Sequence, residues 1–271
     1  AVNNVWKAWL SGGDAGTLGL HTGLVKVTNP VVWAKALIPT AKAIKKTTHE
    51  EQDAEREANP DYERYHGYGL SLTRSGKGAN TEFYGDEDVL DKIPGVAVSK
   101  RTFNTNVNEV RFNLMQILEA TYTRDGRIIT KEQGEALANL VNAFTLAFNP
   151  RGQGTRQAMS VVGKFFWALS MYVARLNVLV GYPIWQPGAD SRVRMIAAKQ
   201  YAKMLVGMTA LTMALRLLLG DDESRKFFPD DDDDDALTPI DSDYWKIKSG
   251  NIRMDITAGM GQMVRFGFMA L

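Results

Sequence analysis

The sequence predicts a mainly α protein, and three observations carry that expectation. Phe103, Val107, Val110, Leu114 and Ile117 recur at spacings of four, three, four and three, which draws one apolar stripe along a helix. Thr130 followed by Gln133 is a capping box, and Leu137, Leu140, Val141, Phe144 and Phe148 continue a helical face behind it. Two apolar-rich stretches, 155–180 and 191–219, each end at a glycine, Gly181 and Gly220. The expected architecture is helical hairpins and two long apolar helices, a small C-terminal β-hairpin, and an extended Gly-rich N-terminal part.

Residues 1–30 are dense in Gly, Thr and Asn and read as loop broken by short turns. A helix is predicted over 30–46, opened by Pro30, with Trp33, Leu37, Ile38 and Ala41 as its apolar side. Thr48 with Glu51 reads as a capping box opening a short charged helix that stops before Asn59-Pro60. Residues 67–98, with Gly67, Gly69, Gly76, Gly78, Gly85 and Gly95, read as loop. The striped helix ends at Arg124-Asp125-Gly126-Arg127 and forms a hairpin with the helix that Thr130 opens. After the break at Asn149-Pro150 come the two long stretches, then aspartate at every position of 230–235, a solvated acidic loop. Trp245, Ile247, Ile252, Met254 and Ile256 alternate around Ser249-Gly250-Asn251, the pattern of a β-hairpin. The expected divisions are a loop-rich segment 1–98, a helical hairpin 99–148, and the helix pair, acidic loop and β-hairpin of 149–271.

The composition narrows the function classes. A chain of 271 residues that is 45% hydrophobic has enough apolar content for a core, and a net charge of +1 gives no global pull toward nucleic acid or lipid. The absence of cysteine removes disulfides, thiolate nucleophiles and thiolate zinc sites. The start at Ala1-Val2-Asn3 and the apolar stretch 266–271 predict a piece of a longer polypeptide without a signal peptide.

Each candidate site has a plainer alternative. Phe165, Phe166, Trp167, Leu205, Leu211, Leu215 and Leu218 are candidate membrane or partner contacts; the plainer reading of these helices is buried core. The uncharged run 204–215 falls short of a membrane span, and Arg175 interrupts the earlier helix. Arg192, Lys199 and Lys203 share a helical face opposite Ile196 and Leu205, suited to phosphates or lipid headgroups, or to water alone. The aspartate run lacks the spacing and glycine of a calcium loop. His21, His49 and His66 have no metal-site spacing, and Gly152-Gln153-Gly154-Thr155 lacks the strand that would make it a nucleotide loop. No nucleophile elbow is present, so neither catalytic residues nor cofactors are assigned.

Several segments together resemble the C-terminal helical region of the large polyvalent proteins of tailed phages and related mobile elements. They are Asn59-Pro60-Asp61-Tyr62-Glu63 with Gly69-Leu70, Ile93-Pro94-Gly95-Val96, Ser99-Lys100-Arg101 and Asn149-Pro150-Arg151-Gly152. Further on come Ala174-Arg175-Leu176, Gly181-Tyr182-Pro183-Ile184-Trp185, Ala198-Lys199-Gln200-Tyr201-Ala202, Lys246-Ile247-Lys248 and Asn251-Ile252-Arg253-Met254-Asp255. The resemblance implies a virion-associated protein, internal or ejected, that packs with tail, portal or other ejection proteins. The apolar helix residues add the expectation of a homo-oligomer that contacts the host membrane during genome delivery, and the basic stripe that of contact with DNA backbone. The alternative is a non-catalytic scaffold region of a phage polyprotein whose polymerase, nuclease or peptidoglycan hydrolase lies elsewhere.

Overall fold

The computed structural model describes residues 22–72, 94–147, 169–219, 246–249 and 252–255, and over these the chain is mainly α. The elements are α1 (Gly23–Thr28), α2 (Pro30–Lys42), α3 (Lys46–Glu57), α4 (Pro60–Gly67), α5 (Pro94–Thr123) and α6 (Lys131–Phe144). They continue as α7 (Leu169–Leu179), α8 (Tyr182–Trp185), α9 (Ser191–Leu219), β1 (Lys246–Ser249) and β2 (Ile252–Asp255). Contacts divide the chain into two compact units, Ala1–Ala197 and Ala198–Leu271. The turn at 152–155, the aspartates of 230–235, His21, Phe148, Trp245, Ile256 and the 155–168 part of the first long stretch lie outside the described residues.

Helix α5 organises the first unit. Its 30 residues make a rod about 45 Å long at 1.5 Å per residue. Helices α2, α3, α4 and α6 all pack on it, so residues 103–108 are buried on every side. The predicted stripe holds for Phe103, Val107, Val110 and Leu114, but Ile117 is exposed and Leu118 takes the last inward position. The helix also starts earlier than expected, at Pro94, where a missing N–H costs nothing in a first turn.

Burial around the whole circumference forces polar side chains inside, and they must find partners there. Thr22 donates to Asn106 Oδ1 at 3.3 Å, Asn106 donates to Thr40 Oγ1 at 3.1 Å, and the Trp33 indole donates to Thr22 Oγ1 at 3.1 Å. Arg111, fully buried, donates to Thr145 Oγ1 at 2.8 Å and to the Ser71 carbonyl at 2.6 Å.

The face of α2 corrects the sequence reading. Val32, Ala36, Thr40 and Ala43 are buried, whereas Leu37, Ile38 and Ala41 are exposed and Trp33 is half-buried. Small side chains let two helix backbones approach closely, and that spacing on α2 selects the inward face over the larger apolar residues. Thr48 and Glu51 do not open α3 either. The helix begins at Lys46 without a side-chain cap, because the turn after the buried Ala43 places Thr48 already inside the first turn. Two short helices, α1 and α4, occupy segments that glycines and a proline had marked as loop or break; Asn59 caps α4 by accepting from the Asp61 N–H at 2.9 Å.

The capping box at Thr130 and Gln133 is present, and Leu137, Leu140, Val141 and Phe144 are buried behind it. Gly181, at φ +68°, ends the α7 segment in the left-handed conformation that favours glycine. Gln186 then donates to the Ala136 carbonyl at 2.9 Å and accepts from Asn139 at 2.8 Å, fastening α8 to α6. Asp190 opens α9: its carboxylate accepts from the Val193 N–H, the Tyr122 hydroxyl and Gln133 at 2.8, 2.8 and 3.1 Å. Burial pushes the Asp190 carboxyl up, but the Val193 N–H, the Tyr122 hydroxyl, the Arg192 N–H and the charge of Arg127 outweigh it and hold its pKa below the ordinary value.

Among the described residues the two long apolar helices do not appear as such. Helix α7 covers 11 described residues, and α9 has 29 residues with a basic first half. Among the described residues no helix is long and apolar enough to cross a membrane. Strands β1 and β2 pair antiparallel, with Ser249 opposite Ile252.

Candidate interaction surfaces

The residues proposed from sequence to touch phosphate do not form one set. Arg192 donates to the Asp125 carboxylate and, at 2.9 Å, to the Thr121 carbonyl, so it clamps the end of α5 to the start of α9. The pairing raises the Arg192 pKa and lowers that of Asp125. Lys199 and Lys203 are exposed on α9. Ile196, expected opposite them, is buried, but Leu205 is 52% exposed.

The proposed apolar contacts divide as well. Phe165, Phe166 and Trp167, and the side chain of Leu215, lie outside the described residues. In the second unit the inward stripe of α9 is Gln200, Met204, Met208 and Thr212, at intervals of four. Leu211 is half-buried. Leu205, Val206, Leu217 and Leu218 (73%) are exposed, as are the alanines at 210 and 214. Beyond Lys203 the described exposed side chains of α9 are therefore all apolar.

One polar cluster went unseen in the sequence. Thr105 Oγ1 lies 3.0 Å from His49 Nδ1, and His49 Nε2 lies 3.4 Å from Asp53. A carboxylate cannot donate, so Nε2 carries the ring hydrogen and Nδ1 accepts from the threonine hydroxyl. Hydroxyl, imidazole and carboxylate in that order are the parts of a nucleophile relay. Here they cannot serve as one. Thr105 is fully buried, and Asp53 is held by Arg56 at 2.7 Å, which in turn reaches Glu109 at 3.2 Å. The cluster fastens α3 to α5. Its spacing of His49 and Asp53, one helical turn apart, was the only signal in the sequence.

Burial is the largest influence on His49 and lowers its pKa from 6.5; Asp53 opposes this, and Arg56 and Arg101 reinforce it. The sign follows from proton binding. Above pH 7 the ring is neutral in both states, whereas below about 6.5 the unfolded chain takes a proton that the folded site resists. Stability is therefore expected to fall as pH drops through this window, and His49→Gln should remove that part of the profile. Urea midpoints measured across pH 8 to about 5 check this; an unchanged slope in the variant would assign the effect elsewhere.

A second cluster joins α4 to α5. Arg64 makes two bonds to Glu119, at 2.7 and 2.8 Å, and the Tyr65 hydroxyl donates to the same carboxylate at 2.6 Å. Burial, then the bond to Glu119, pushes the Tyr65 phenol above its ordinary range, so it stays a donor. No group of three or more metal-ligating side chains comes together among the described residues. No protein-family model, no curated protein and no solved structure matches the chain.

Proposed function

We propose that the chain is a non-catalytic packing module of a tailed-phage virion, an internal or ejected protein that works through its helix surfaces. The observation that carries the reading is the exposed apolar side of α9, Leu205, Val206, Leu217 and Leu218, because large apolar side chains exposed along one helix mark contact sites. In this reading the stretches 155–180 and 191–219, with the hairpin after them, form the region that meets tail, portal or other ejection proteins. Lys199 and Lys203 stand beside it for phosphate or headgroup contact, and copies of the chain associate through it. The same surface touches the host envelope once the protein leaves the particle. The polar clusters of the first unit support a structural role, since each is occupied in joining helices. Mass spectrometry of purified phage particles tests the setting. Peptides of this chain should be present in stoichiometric amounts; their confinement to infected-cell lysate would refute virion residence.

A further inference from the structure

Helix α2 carries its largest aliphatic residues, Leu37 and Ile38, on the outside. Val31, Ala34, Ile38 and Ala41 follow each other at three, four and three residues, with Leu37 and Ile44 beside them, and all six are exposed. Val31, Ile38 and Ile44 are 66, 64 and 56% exposed. Lys35 and Lys42, seven apart and both exposed, run along one edge of this strip, and Lys45 follows the helix end. From residue 22 to residue 49 the chain has five lysines and no aspartate or glutamate. Acids begin at Glu50 on α3; Lys35 and Lys42 lie on α2 and Lys45 in the turn after it, while Lys26 is on α1 and Lys46, at the start of α3, pairs with Glu50 at 3.7 Å.

We infer that the outer face of α2 docks flat on an anionic lipid surface. This goes beyond the reading above and stands without it. A 13-residue helix cannot span a bilayer, but one lying in the interface sinks apolar side chains among the acyl chains. The lysines, on long stems at its edge, keep their ammonium groups among phosphate headgroups. Nucleic acid is the poorer fit, because phosphate contact calls for cations across the face, and here the centre of the strip is apolar. The inward residues, Val32, Ala36, Thr40 and Ala43, keep α2 anchored in the first unit, so docking needs no rearrangement.

Flotation of the full chain with vesicles tests this. Binding is expected to vesicles containing phosphatidylglycerol, to weaken as salt rises, and to be lost on pure phosphatidylcholine. Ile38→Asp, and separately Lys35→Glu with Lys42→Glu, should each weaken binding about tenfold or more while helicity by circular dichroism is unchanged. Ile128→Asp, at an exposed residue between α5 and α6, should leave it unaltered. Absence of binding by folded protein would overturn the proposal. So would undiminished binding by Ile38→Asp, or the finding that Ile38→Asp instead dissolves a dimer in sedimentation, which would make a second copy the occupant. None of these results depends on whether the chain is found in virions.

Discussion

Replacing Arg111 by Met is expected to lower the stability of the first unit by about 3 kcal/mol, because three acceptors around a fully buried side chain lose a charged donor at once. The guanidinium reaches the Thr145 hydroxyl, the Thr145 carbonyl and the Ser71 carbonyl, so one side chain on α5 holds the end of α6 and the chain segment after α4. Methionine fills much of the volume but donates nothing, leaving the buried Thr145 acceptors and the half-buried Ser71 carbonyl without that donor. Lysine should recover only part of the loss, since a single ammonium cannot reproduce a planar fork with divergent targets. Urea unfolding reads the change as a lower midpoint at constant slope. A loss under about 1 kcal/mol would mean that these acceptors find other donors readily.

Gly188→Ala should cost nearly as much, about 3 kcal/mol, for two independent reasons. Gly188 sits at φ +82°, where a side chain is strained, and an added Cβ would lie 2.8 Å from the Glu132 carbonyl oxygen. That oxygen is backbone in the first turn of α6, so relief requires moving a capped helix end or the turn that leads to Asp190. Gly67→Ala is the control. Nothing lies within 4 Å of a Cβ there, and its expected effect is within about 1 kcal/mol of neutral, with either sign. Equal effects at the two glycines would show that the close approach at Gly188 relaxes freely.

What the sequence disclosed was local. The capping box at Thr130 was legible because both its partners lie three residues apart in the chain, and the extent of α9 because Ser191 and Gly220 bracket it. The stripe on α5 was legible because one of its faces is apolar at helical spacing. Its other faces were not, because Asn106, Asn108, Thr105 and Arg111 look like a solvated side until α2, α3 and α4 pack against them. The orientation of α2 was misread for a related reason: ranking residues by hydrophobicity places Leu37 and Ile38 inside, whereas close helix packing on α5 selects Ala36, Thr40 and Ala43. Short helices such as α1 and α4 offer too few turns for periodicity to speak. The clusters around His49 and Glu119 join residues more than 50 positions apart, beyond any local pattern. Of the candidate contacts, Leu205 and Leu218 were found at the surface, and Arg192 was tied to Asp125 and the Thr121 carbonyl.

In the proposed function the chain acts by association through exposed apolar helix surface. Sedimentation velocity of the full chain tests it most directly, run at tens of micromolar, a working range of about that order. Wild-type protein is expected to self-associate or to require detergent, and Leu205→Asp with Leu218→Asp should shift it toward monomer while helicity is retained. A compact monomer throughout that range, with the double variant indistinguishable from wild type, would contradict the account.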